Sequence, residues 1–78
     1  MKNGELAIEL ERLTMGMNSD STRRAMIQRM RADRDSEVTE SDRAYIRAEL
    51  ARFIENGKGN LRDFSRRLAA RMDAELRG

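Results

Sequence analysis

The chain contains no proline, so no position along its 78 residues is barred from the interior of a helix. The sequence is rich in arginine, glutamate, alanine, leucine and methionine, whose side chains lose little freedom in a helix. Aromatic residues make up only 4% of the chain and β-branched residues are sparse, so a β-sheet has little support. These features predict an all-α protein.

Apolar residues recur at helical spacing in four segments, at about residues 5–15, 22–34, 39–55 and 61–76. The side chains predicted to be buried are Leu6, Leu10, Leu13, Met17, Met26, Ile27, Met30, Ile46, Leu50, Phe53, Ile54, Leu61, Phe64, Leu68, Met72 and Leu76. Because short polar connections separate the segments, we expect a compact bundle of three to four short helices. The whole chain, residues 1–78, is predicted to form a single helical domain.

Capping residues mark several helix ends. Asn3 is a candidate N-cap for the first helix. The stretch 39–42, Thr-Glu-Ser-Asp, resembles a capping box with Asp in place of the preferred Glu. The stretch 56–60, Asn-Gly-Lys-Gly-Asn, predicts a helix stop at its glycines and a new N-cap at Asn60.

The sequence has neither cysteine nor histidine, which excludes disulfides, thiolate metal sites and nucleophile–histidine pairs. Its glycines are scattered and form no phosphate-binding loop. We therefore expect no enzyme activity, no cofactor, no metal site and no small-molecule substrate. No apolar stretch approaches the ~18 residues that a membrane span needs, and acids interrupt the first segment. We expect a cytoplasmic protein with no membrane association.

A second apolar line on the first helix predicts a further contact. Ile8 and Met15 are seven residues apart, on the side opposite the Leu6, Leu10 and Leu13 stripe. One interpretation is that the first helix is covered on both sides within one subunit. The other is a seam for a second copy or a partner protein. A chain this short, without disulfide or metal, gains most from self-association, so we expect a homodimer.

Basic residues concentrate in the second and fourth segments, although the whole chain carries a net charge of only +2. Residues 57–71 contain five basic side chains and a single acid, Asp63. Like charges four residues apart, as in Arg62/Arg66 and Arg67/Arg71, destabilise a helix slightly. Anionic groups should offset them. The alternatives are internal acids, chiefly Asp63, Glu5, Glu9 and Glu49, an acidic protein surface, or a phosphate backbone.

These features favour a small regulatory protein that binds another protein stoichiometrically, as an inhibitor, an antitoxin-like protein or an adaptor. The predicted partner-binding residues are Ile8, Met15, Arg62, Arg66, Arg67 and Arg71. The alternative is a nucleic-acid-binding transcriptional or nucleoid regulator. Its predicted phosphate contacts are Arg23, Arg24, Arg31, Arg62 and Arg66. A purely structural oligomer is a third possibility.

Overall fold

In the computed structural model, the backbone is described for residues 1–14 and 21–77, and within these ranges the side chains of Thr14, Leu76 and Arg77 are left out. The described residues form four helices and no β-strand, which confirms the all-α prediction. The helices are α1 (Asn3–Thr14), α2 (Ser21–Ala32), α3 (Glu40–Asn56) and α4 (Asn60–Arg77). Their bounds differ from the predicted ones by two residues at most.

The contacts divide the chain into two compact units, Met1–Val38 and Thr39–Gly78. The first unit pairs α1 with α2, and the second pairs α3 with α4. The prediction of one domain stays a prediction, as does the homodimer. None of the helices in the described part of the chain combines the length and the apolar content that crossing a bilayer requires.

The predicted apolar stripes are largely buried. The confirmed buried residues are Leu6, Leu10, Leu13, Met26, Ile27, Met30, Ile46, Leu50, Phe53, Leu68 and Met72. Ile54, Leu61 and Phe64 are half-buried. Met17 and the Leu76 side chain lie outside the described residues. Ala7, Val38 and Ala69 are also buried, although the predicted stripes did not include them.

In the first unit, the segment after α2 returns to the start of α1 and caps it. The backbone N–H groups of Asn3 and Gly4 donate to the carbonyl oxygens of Ser36 and Arg34, at 2.9 and 3.0 Å. These are the donors that a helix N-terminus leaves unsatisfied. The Asn3 side chain does not act as the predicted N-cap, because Asn3 is itself helical and its Nδ2 donates to the carbonyl oxygen of Asp33 at 3.0 Å.

Glu37 adds a charged contact to this cap. Its Oε2 accepts a hydrogen bond from the Met1 amino group at 3.1 Å, and its Oε1 lies 3.3 Å from Lys2 Nζ. The hydrogen bond from the amino group, followed by the one from Lys2, lowers the pKa of the Glu37 carboxyl from its ordinary value. The charged form of Glu37 therefore stabilises the folded first unit.

In the second unit, the Thr39 signal is confirmed as the N-cap of α3. The Thr39 Oγ1 accepts a hydrogen bond from the backbone N–H of Asp42 at 3.1 Å.

An ion pair that the sequence did not predict joins α3 and α4. Arg47 donates from Nε and Nη2 to the two carboxylate oxygens of Asp73, at 3.0 and 3.1 Å. This bidentate geometry orients α3 and α4 relative to each other.

The turn between α3 and α4 uses its two glycines differently. Gly57 caps α3 by donating its N–H to the carbonyl oxygen of Phe53 at 2.7 Å. Gly59 has a φ of 59°, in the left-handed region that favours glycine. Helix α4 begins at Asn60, and the Gly59 carbonyl accepts from Asp63 N–H at 3.2 Å. The predicted cap at Asn60 is thus one residue late.

Candidate interaction surface on α4

The 18-residue helix α4 has sharply different sides. Its buried side carries Ser65, Leu68, Ala69 and Met72. The other side carries Arg66, Arg67, Ala70, Arg71 and Ala74, all exposed, and is called the arginine face below. Ala70 lies one turn after Arg66 and Arg67, and Ala74 lies one turn after Ala70 and Arg71. The face therefore combines guanidinium groups with small side chains that let another surface approach closely.

Several arginines elsewhere are paired within their own unit. Arg12 lies 3.7 Å from Glu9, and Arg52 lies 3.5 Å from Glu49, each pair three residues apart on one helix. Among residues 1–14 and 21–77, no ion pair involves Arg66 or Arg67. The predicted internal acids Glu9 and Glu49 thus pair with arginines of their own helices. Two adjacent guanidinium groups of α4 are left facing solvent.

The two other predicted arginines of α4 differ from this pair. Arg71 is exposed but has an interaction partner within the chain. Arg62 is half-buried, and its Nε is shielded from solvent without an acceptor among the described residues. A desolvated donor without an acceptor is energetically costly. Arg62 adds positive charge at the edge of the arginine face. The donors that are accessible to a partner belong to Arg66 and Arg67.

The predicted nucleic-acid residues of α2 are less available. Arg23 is only 6% exposed and lies among the buried side chains Met26, Ile27 and Met30, so its guanidinium is not on the surface. Arg24 is exposed and has a partner within the chain. Arg31 Nη1 donates to Glu11 Oε1 at 2.6 Å. Three of the five arginines in that hypothesis are therefore buried or already partnered.

The structure describes one of the two residues of the predicted apolar line on α1. Ile8 is 55% exposed, and within the described ranges it is the large apolar side chain that remains on the surface. Met15 lies outside the described residues. The sequence thus identified Ile8 as facing away from the buried stripe, whereas the contact there stays a prediction.

Two alanines of the arginine face, Ala70 and Ala74, were not singled out from the sequence. Their spacing of four residues from Arg66 and from each other was the available signal, since it places all three on one side of a helix.

The described residues contain no group of three acidic, histidine or cysteine side chains arranged to hold a metal ion. What the face offers chemically is hydrogen bonding and charge.

Comparison with known proteins finds no matching family model, no similar curated protein and no similar solved structure. The functional proposal therefore rests on the residues of this chain.

Proposed function

We propose that this protein is a non-enzymatic cytoplasmic regulator that binds another protein stoichiometrically, as an inhibitor, an antitoxin-like protein or an adaptor. The binding surface is the arginine face of α4, and the partner presents carboxylates. The observation that carries this proposal is the state of Arg66 and Arg67, which are exposed and have no ion pair among the described residues.

Like charges on α4 carry an energetic cost. Arg62 and Arg66 stand four residues apart, as do Arg67 and Arg71, and each such pair weakens an isolated helix. A partner's carboxylates would remove this repulsion and form charge-assisted, bidentate hydrogen bonds. Arginine is also enriched at protein interfaces, where its charge steers association and sets orientation.

We propose no catalytic role for this chain. Without cysteine or histidine, a nucleophile would need another base close by. The arginine face supplies only positively charged donors, which do not serve as a base or a nucleophile at neutral pH. Binding energy is what such a face can provide.

The test compares capture of cytoplasmic proteins by the wild-type chain and by a variant carrying Arg66→Ala and Arg67→Ala. We expect the variant to lose its partner, with an affinity loss of about tenfold or more. A matched control carries Arg34→Ala and Lys58→Ala, which also remove two exposed basic side chains that have no ion pair among the described residues. Equal capture by the wild type and the Arg66/Arg67 variant would refute the proposal.

A nuclease step separates protein from nucleic acid as the partner. If capture disappears after nuclease treatment, the alternative of a nucleic-acid-binding regulator takes precedence. That alternative also predicts that a mixed-sequence DNA duplex binds at low salt and that its affinity falls steeply as salt rises. The buried Arg23 and the ion-paired Arg31 favour the protein partner.

A further inference from the structure

We propose that Asn56 is a site of spontaneous deamidation, through which the end of α3 is chemically modified as the folded protein ages. The sequence contains two Asn-Gly pairs, Asn3-Gly4 and Asn56-Gly57. Asparagine deamidates most readily before glycine, because glycine has no Cβ atom to obstruct the ring closure. The site lies at the turn between α3 and α4 and outside the arginine face, so it is independent of the proposed function.

The reaction requires water and no enzyme, oxidant or reductant. A base removes the proton of the Gly57 backbone N–H, and this nitrogen attacks Cγ of the Asn56 side chain, an intramolecular step between adjacent residues. The new N–Cγ bond closes a five-membered succinimide ring, and the side-chain nitrogen takes up a proton and leaves as ammonia. Water then adds to one of the two ring carbonyls and breaks its bond to the nitrogen. The product at position 56 is either aspartate or isoaspartate.

At the first Asn-Gly pair, the structure blocks this attack on both reacting groups. Asn3 is only 5% exposed, and its Nδ2 donates to the carbonyl oxygen of Asp33 at 3.0 Å. The nitrogen that would attack belongs to Gly4, whose N–H donates to the carbonyl oxygen of Arg34 at 3.0 Å. Freeing these groups requires the start of α1 to separate from the segment that follows α2. Asn3 is therefore protected as long as the first unit is folded.

At the second pair, a single hydrogen bond protects the reacting groups. The Asn56 side chain is exposed and makes no hydrogen bond with any described residue. The N–H of Gly57 donates to the carbonyl oxygen of Phe53 at 2.7 Å, where α3 ends. Helix ends open at little free-energy cost, whereas the opening of buried segments costs far more. Fraying of the last turn of α3 therefore frees the Gly57 nitrogen without unfolding the chain.

Both products alter the end of α3. Aspartate places a carboxylate near the negative end of the helix dipole, which is unfavourable. Isoaspartate carries the main chain through the former side-chain carbon, so the backbone gains a methylene group before the Gly57 nitrogen. The hydrogen bond from Gly57 to Phe53 then loses its register. We therefore expect the modified chain to unfold at a lower urea concentration than the unmodified chain.

Mass spectrometry of tryptic peptides, after incubation of the folded chain in mildly alkaline buffer, measures both Asn-Gly pairs in one experiment. Cleavage after lysine and arginine places Asn3 in residues 3–12 and Asn56 in residues 53–58. Conversion of an amide to a carboxylate raises the mass of its peptide, and chromatography separates isoaspartate from aspartate. We expect Asn56 to convert faster than Asn3 by about tenfold or more.

Two controls separate the effect of the structure from intrinsic reactivity. In guanidinium chloride, where the chain is unfolded, the two pairs should convert at similar rates because glycine follows both asparagines. The variant Asn56→Gln should show no modification at position 56, because its longer side chain closes a ring much more slowly. Its urea midpoint should stay constant during an incubation that lowers the midpoint of the wild type.

Equal rates at the two pairs in the folded chain, or a faster conversion of Asn3, would overturn the inference. The same holds if Asn56 converts in guanidinium chloride but stays intact in the folded chain, since the last turn of α3 would then not open. A midpoint that falls as much in Asn56→Gln as in the wild type would refute the effect of the modification on stability.

Discussion

Replacing Gly57 by alanine should destabilise the second unit, because the structure leaves no space for a methyl group there. A Cβ atom at this position would overlap the carbonyl oxygen of Phe53 and would lie 3.3 Å from Leu61 Cδ2. The same carbonyl accepts the 2.7 Å hydrogen bond from Gly57 N–H that ends α3. The obstacle is backbone rather than a flexible side chain, so the helix end itself has to move.

The magnitude follows from three contributions. Losing the capping hydrogen bond costs about 1 kcal/mol. Displacing the end of α3 to relieve the overlap costs about 1–3 kcal/mol. Alanine reduces the freedom of the unfolded chain, which offsets about 0.4–1 kcal/mol. The net loss is about 1–4 kcal/mol, and each kcal/mol corresponds to about 4–8 °C in Tm for a chain of this size.

Gly59 provides the matched comparison. Its φ is 59°, but a Cβ atom there would meet nothing within 4 Å. Gly59→Ala should therefore cost only the left-handed backbone preference, about 1 kcal/mol, and Gly59→Asn should cost less. Urea unfolding followed by circular dichroism measures all three variants. If Gly57→Ala is as stable as the wild type, or loses less stability than Gly59→Ala, the steric reasoning is wrong.

Two further predictions concern the helix caps. Thr39→Ala should cost about 1 kcal/mol because it removes the side-chain acceptor for Asp42 N–H, and Thr39→Ser should restore most of it, as urea midpoints would show. The lowered pKa of Glu37 means that its carboxylate stabilises the folded chain above its ordinary pKa of 4.5, and that this contribution is lost as the pH falls through the lower, folded value. Glu37→Gln should therefore flatten the dependence of unfolding midpoint on pH on the acidic side, and an unchanged profile would contradict the assignment.

For the arginine face, the sequence predicted where the side chains lie but not whether they are paired. Helical spacing predicted that Arg66 and Arg67 lie away from Leu68 and Met72, because the period of a helix separates its sides. It did not reveal whether acids from other helices would neutralise them. That depends on which side chains the tertiary packing brings within reach.

Arg23 illustrates the opposite outcome. In the sequence it is one basic residue among several in a polar helix, yet it is 6% exposed and shares the buried side of α2 with Met26 and Met30. Its spacing of three and seven residues from these methionines was the available signal. Buried arginines are rare, so the charge of Arg23 predicts an exposed side chain while its periodicity predicts a buried one.

The helical class, the approximate helix ends and most of the buried residues were determined by the sequence alone, because they follow from local propensity, capping chemistry and a period of 3.6 residues. The cap of α1 by residues 34 and 36, the Arg47–Asp73 ion pair and the lack of an ion pair to Arg66 or Arg67 among the described residues were decided only by the tertiary structure. Each of these depends on contacts, made or missing, between residues far apart in the chain. Such contacts are set by the packing of whole helices, which no local pattern encodes.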